Sequence, residues 1–266
     1  MRLLPAAVSF ALLAAPSMAA DLAVTAPVYK APPPVYFYSW TGCYVGGNGG
    51  GMWVQKDFTL TGSPPVPLGL PVPGLPSLVG LPVPIGFGGH DVNSGVAGVQ
   101  VGCNYQFAGG WVIGIQGDFD WANATGSHID PVINITTVSS STKSLASVTG
   151  RIGYAWDRFL GYVKGGGAWE RDDYSWINTT FGTFAFTGSE TRGGWTVGVG
   201  GEYAFLDWLT GFFEFDYYDF GTRNVSMTGA VIGVPNTVFF NIHEKKSVVK
   251  AGLNFKFGGA PVVAKY

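Results

Sequence analysis

The stretch Val249-Lys250-Ala251-Gly252-Leu253-Asn254-Phe255-Lys256-Phe257 alternates between two chemistries at every residue. Val249, Ala251, Leu253, Phe255 and Phe257 fall on one face, and Lys250, Gly252, Asn254 and Lys256 on the other. Successive strand side chains point to opposite sides, so this period predicts a strand lying between an apolar phase and a polar one. The apolar phase is either a soluble core or a lipid bilayer, and that choice governs the function.

Composition separates the two. Charged residues make up 12% of the 266-residue chain, against about 25% in ordinary soluble proteins. Aromatics reach 15%, and there are 41 glycines. So few charges cannot coat the outside of a soluble barrel, which would carry its apolar residues inside. A net charge of -2 supplies no basic field, so no nucleic-acid partner is expected. The chain also lacks the uninterrupted apolar run of about 18 residues that makes a spanning helix. That leaves the β-barrel, the other structure able to satisfy every backbone group in lipid.

The N-terminus reads as an export signal over residues 1–19. Met1-Arg2 gives a positive start, Leu3 to Ala15 an apolar run, and Pro16-Ser17-Met18-Ala19-Ala20-Asp21 a small-residue site with cleavage after Ala19 or Ala20. A buried N-terminal helix is the alternative, and Arg2 with the small-residue exit argues against it. Residues 20–39 form a proline-rich linker, including Ala31-Pro32-Pro33-Pro34, suited to an extended polyproline conformation and not to a central strand.

Alternation then repeats to predict an all-β, eight-stranded antiparallel up-and-down transmembrane β-barrel over residues 40–257, with residues 258–266 as a short periplasmic tail. The first strand, Cys43 to Trp53, is weak because glycine dominates it. Cleaner faces follow: Ala97, Val99, Val101, Cys103 and Tyr105; Trp111, Ile113, Ile115 and Phe119; Val148, Ile152 and Tyr154; Val163 and Trp169; Trp195, Val197 and Val199; Phe213, Phe215 and Tyr217. Short joins at Phe107-Gly110, Trp156-Phe159 and Phe205-Trp208 alternate with long stretches rich in Gly, Ser, Thr, Asn and Asp at 55–93, 122–144, 171–192 and 221–247. Short turns at one rim, long loops at the other and aromatic strand ends are the outer-membrane pattern. The first long loop, 55–93, contains Pro64 to Pro84, too proline-rich to pair; it reads as a flexible excursion, with a polyproline interaction segment as the alternative.

With the apolar sets facing lipid, the strand charges must share the lumen. Asp118, Asp120, Glu170, Glu202, Glu214 and Asp216 would be balanced there by Arg151, Lys164, Lys250 and Lys256. Eight strands enclose a space that side chains fill, so these charges are expected to form a paired plug. A gated ion path through the plug is the functional alternative, since lumen charges set selectivity.

Cys43 and Cys103 lie on consecutive strands near the short-turn rim, where antiparallel pairing in an oxidising compartment would make a disulfide; two free lipid-facing thiols are the alternative. His90, His128 and His243 fall in three different long loops, with no HExxH, CxxC or GxSxG arrangement. No catalytic site, cofactor or metal is therefore expected; solvated loop histidines are the plain reading, and a weak haem or metal contribution the alternative. Gly46 to Gly51 superficially suggests a phosphate loop, yet it leads into no helix and more simply allows close approach within a strand.

The segments Trp40-Thr41-Gly42-Cys43-Tyr44-Val45-Gly46-Gly47-Asn48, Gly102-Cys103-Asn104-Tyr105-Gln106, Arg151-Ile152-Gly153-Tyr154-Ala155, Gly194-Trp195-Thr196-Val197-Gly198 and Tyr217-Tyr218-Asp219-Phe220-Gly221 resemble the alphaproteobacterial porin-family surface proteins of the OmpA-like eight-stranded barrel superfamily. The resemblance implies an abundant protein of the cell outer membrane contributing to envelope integrity, in contact with lipid and lipopolysaccharide. For some relatives it implies haem binding or host contact through the extracellular loops. The proline-rich first loop departs from the family pattern, so loop activities do not carry over. Lys250, Gly252, Phe255 and Phe257 match the polar-x-Gly-x-x-aromatic-x-aromatic form of a last strand read by the outer-membrane barrel assembly machinery. An ordinary closing strand is the alternative. A structural and surface-interaction role is thus expected, with a narrow gated porin as the second reading.

Overall fold

A computed structural model describes residues 36–62, 83–129, 131, 136–178, 184–231, 234–258 and 262–263. The export signal, most of the linker, the proline-rich stretch at 63–82 and most of the tail lie outside the described residues.

Eight long strands close into one ring. They are β2 (Gly42–Gly62), β3 (Ile85–Gln106), β4 (Trp111–Ile129), β5 (Thr136–Trp156), β6 (Phe159–Asn178), β7 (Phe184–Ala204), β8 (Leu209–Val231) and β9 (Val234–Phe257). Each pairs antiparallel with its sequence neighbour, and β9 returns to β2 from Cys43↔Phe257 up to Gly62↔Phe239, so the ring has no end strand. Val249 to Phe257 is the last part of β9, as its alternation requires.

The strands are far longer than the 9–11 residues that cross a bilayer, and this corrects the expected loops. Residues 55–62 and 85–93 of the first range, and most of 122–144, 171–192 and 221–247, are strand. The physical reason is a change of environment along each strand. Near the short turns, Val101, Ile115, Ile152, Val199 and Phe213 point outward and are exposed, while charged residues point in. Trp53, Trp121, Trp169 and Trp195 stand at the far end of that apolar band, and Trp111, Trp156 and Trp208 at its turn side, the positions of interfacial aromatic girdles.

Beyond the far girdle the pattern inverts. Phe58, Leu60, Phe87, Val138, Trp176, Phe186, Met227, Phe240 and Ile242 pack into one inward cluster, and Ser139, Ser175, Thr187 and Thr228 face outward. Here the barrel is a water-exposed collar with an oily core. Hydroxyl-rich sequence that reads as loop is the outer face of this collar.

At the turn side, β1 (Tyr36–Phe37) pairs with β10 (Val262–Val263), joining the linker end to the tail. The next residues are no free tether: Tyr38 and Trp40 are buried against Val112, Leu160 and Tyr162. Trp40 N donates to Gln106 Oε1 at 2.8 Å and its Nε1 to the Asp157 carbonyl at 3.0 Å. The linker boundary therefore falls before Tyr38.

Glycine in β2 makes room for this filling. A Cβ on inward-facing Gly46 would lie 2.1 Å from Asn254 Oδ1, whereas one on outward-facing Gly47 would meet nothing nearer than 3.8 Å.

Candidate functional site

The lumen is filled in successive layers, with an apolar layer of Met52, Val54, Leu145, Tyr218, Phe220 and Val248 between its two charged ones. Lowest is the Tyr38–Trp40 seal. Above it, inside the apolar band, lies a charged layer drawn from six strands. Lys164 Nζ sits 2.7 Å from Glu214 Oε2 and 3.2 Å from Asp216 Oδ2. Lys250 Nζ is 2.8 Å from Asp118 Oδ1, 3.7 Å from Asp120 Oδ2 and 3.6 Å from Glu214 Oε2. Arg151 pairs with Glu202 at 3.3 Å, donates from Nε to Asn104 Oδ1 at 2.8 Å, and lies over the Tyr44 and Tyr162 rings at 4.9 and 4.8 Å. Tyr162 OH donates to Glu214 Oε1 at 2.6 Å. All these side chains are buried, so each charge depends on its partners for the stabilisation water would otherwise give.

A second charged layer lies past the far girdle. Lys56 Nζ is 3.1 Å from Asp172 Oδ2 and 3.0 Å from Glu244 Oε1. Lys246 bridges Glu170 and Glu244, and Arg192 reaches Glu190 at 3.2 Å while donating to Tyr174 OH at 2.6 Å. Oxygens of Glu170, Asp172 and Glu244 lie within 4.8 Å of one another, as a metal site would require. The ammonium groups of Lys56 and Lys246 and the guanidinium of Arg192 already sit among them, three cations for three carboxylates. The apolar collar core closes the top.

Of the charges expected in one plug, Asp118, Asp120, Arg151, Lys164, Glu202, Glu214, Asp216 and Lys250 come together in the lower layer and Glu170 in the upper. Lys256 joins neither. Its Nζ donates to the Ser39 carbonyl and lies 4.5 Å from the centre of the Tyr38 ring, because its place near the end of β9 puts it at the short-turn mouth. Sequence reading missed Lys56, Asp172, Arg192, Glu244 and Lys246, having assigned them to loops. The missed signal was continued alternation, as in Glu170, Asp172, Tyr174 and Trp176. Cys43 and Cys103 stand in register with Cα atoms 3.9 Å apart and are joined by a disulfide on the outer wall.

His90 and His128 are also on strands, β3 and β4, and face inward in the collar. Their Nδ1 atoms are 2.9 Å apart; His90 Nε2 is 2.8 Å from Ser140 Oγ, and His128 Nε2 is 2.8 Å from the Phe87 carbonyl. Burial first, then His128 and Lys56, push the His90 imidazole down to about 4 against the pull of Asp91. His243 faces outward on β9, with Nδ1 3.1 Å from Thr222 Oγ1.

The model of the family described as outer membrane protein beta-barrel domain matches residues 6–257. The chain belongs to that family. As an outer-membrane barrel it is 30% identical to the 31 kDa outer-membrane immunogenic protein of Brucella melitensis biotype 1, over 93% of this chain and 96% of that one. It is 29% identical to an uncharacterized protein of Coxiella burnetii over 66% of this chain and 74% of the relative. Among solved structures it is similar to OprG of Pseudomonas aeruginosa at 12% identity and a TM-score of 0.45, covering 83% of this chain and 98% of that one. It is also similar to the Escherichia coli outer membrane protease OmpT at 7% identity and a TM-score of 0.49, covering 85% and 99%. Membership of an outer-membrane barrel family makes the exposed apolar band the lipid-facing wall.

Within this outer-membrane barrel, Gly252, Phe255 and Phe257 occupy the closing end of β9. Phe255 and Phe257 point outward, and Gly252 faces Asn48 across the β2 ladder.

Proposed function

We propose that the protein is a closed structural barrel that reinforces the outer membrane and presents its collar to the surroundings, with no catalytic role. The observation that supports this is the filled lumen: an aromatic seal, two buried ion-pair layers with an apolar layer between them, and an apolar cap follow one another along the axis. A steady ionic path would have to pass all of them. Removing single partners from buried ion pairs costs about 3–5 kcal/mol, so spontaneous opening of such layers is rare. The outer wall meets lipid and lipopolysaccharide, the Lys250, Gly252, Phe255 and Phe257 pattern serves the barrel assembly machinery, and the collar is the surface for any external partner.

Planar-bilayer recording on purified protein tests the reading. A closed barrel gives no steady conductance. Discrete, salt-dependent steps would establish the second reading, a narrow gated pore. The lower layer favours that alternative in one respect: its buried carboxylates, Asp118, Asp120, Glu202, Glu214 and Asp216, outnumber Arg151, Lys164 and Lys250, so a pore here would select cations.

A further inference from the structure

The ladder between β3 and β4 runs only from Gln106↔Val112 to Val96↔Ala122. Among the described residues, 85–95 and 123–129 form no rungs with each other, although β3 continues to pair with β2 there and β4 with β5. The collar wall thus has a seam held by side chains. His90 reaches it from β3 and His128 from β4. Gly126 on β4 lets β3 lean in, since a Cβ there would lie 2.1 Å from Val92 Cγ2 and 2.5 Å from His90 Cδ2. A register shift beside Gly88, whose φ of 80° lies in the left-handed region, turns Phe87 inward, and its carbonyl meets His128.

The hydrogen bonds fix the ring protons. A carbonyl only accepts, so His128 carries its proton on Nε2 and presents a bare lone pair at Nδ1. His90 must then donate from Nδ1, which leaves its Nε2 to accept from the Ser140 hydroxyl. Each ring has its outer nitrogen tied to an oxygen and its inner nitrogen aimed at the other ring. That is the outer-shell arrangement of metal-bound imidazoles, whose remote N–H is held by a carbonyl or other oxygen.

We propose that the Nδ1 atoms of His90 and His128 form a binding site for a late first-row divalent ion, Cu2+ or Ni2+, that cross-links β3 and β4 across the open seam. The Nδ1 atoms are 2.9 Å and the ring centres 5.1 Å apart, so the rings face each other head to head, and on binding each turns to bring its lone pair onto an ion held at about 2.0–2.1 Å. Nitrogen ligands bind Cu2+ more tightly than the other first-row divalent ions, Zn2+ included. On binding, the His90 proton relocates from Nδ1 to Nε2 and is donated to Ser140 Oγ, so two neutral imidazoles bind with no net proton released. Both rings are half-buried, and water completes the coordination. The site does not depend on whether the lumen conducts.

The test is Cu2+ titration of the untagged full chain, folded in detergent, read by electron paramagnetic resonance. One saturable ion per chain with hyperfine structure from two imidazole nitrogens is expected. His90→Gln and His128→Gln, each checked for heat-modifiable migration as evidence of a folded barrel, are expected to bind at least tenfold more weakly, while His243→Ala binds as before. If a histidine variant fails to fold, the unaltered protein still decides: a one-nitrogen spectrum, or no saturable site, overturns the proposal. Undiminished binding by a folded His90→Gln or His128→Gln variant overturns it as well.

Discussion

Lys250 on β9 and Asp118 on β4 stand three strands apart around the ring, yet their side chains meet at 2.8 Å inside the lumen. The contact joins residues 132 apart in sequence and ties together walls that no backbone ladder connects directly. Asp120, Glu214 and Asp216 surround the same ammonium group.

Lys250→Glu removes the cation and adds a further carboxylate to that group. A loss of about 3–5 kcal/mol or failure to fold is expected, compared with a small effect from removing residues 259–266. Urea-dependent loss of the compact, heat-modifiable gel species measures both. A larger loss from the tail deletion would show that the lumen contacts are not what holds the barrel.

Gly46→Ala and Gly47→Ala differ only in which side of the wall they face. The inward methyl would press on Asn254 Oδ1 and the Leu253 carbonyl, and overpacking of this kind costs about 1–3 kcal/mol. The outward methyl enters lipid at ordinary contact distance and should leave the urea midpoint unchanged. Equal midpoints for the two variants would contradict the register of β2.

Inversion of the pattern at the far girdle can be tested with one residue type. Val101→Lys places a charge on the lipid-facing wall and is expected to cost about 2–4 kcal/mol. Ser139→Lys on the outer face of the collar should change stability by no more than about 0.5 kcal/mol. Phe240→Ala, inside the collar core, should cost about 3–5 kcal/mol. Tryptophan fluorescence during chemical unfolding in lipid follows all three, and a collar outside water would reverse the first two.

Reduction of Cys43–Cys103 opens a loop of 60 residues that the bond closes in the unfolded chain. The expected loss is roughly 2–4 kcal/mol, mainly through a freer unfolded state. Paired urea series with and without reductant measure it, and the Cys43→Ser, Cys103→Ser double variant should match the reduced protein. Identical midpoints in both series would mean that the ladder alone restrains these strands.

The eight antiparallel strands, the membrane, the apolar wall and the short turns could all be read from the chain. Each rests on local rules, above all alternation at a period of two and a charge content too low for a soluble surface. The lower ion-pair layer was legible in membership, because Asp118, Arg151, Lys164, Glu214 and Lys250 all fall opposite apolar neighbours. Its partnerships were not, since they cross the lumen between strands that are not neighbours.

Alternation states that a strand separates two phases and does not state which phase is inside. In the bilayer the oily phase is outside, so Val101 faces out; above it the outside is water, so Phe240 faces in. Only the height of a residue along the closed ring decides between these, and height is set by the pairing of all eight strands together. For the same reason His90 and His128, 38 residues apart and scattered by any local reading, meet at 2.9 Å. The sequence by itself determined what the wall is made of; the tertiary structure decided what fills it, because filling depends on which side chains reach the same height from different strands.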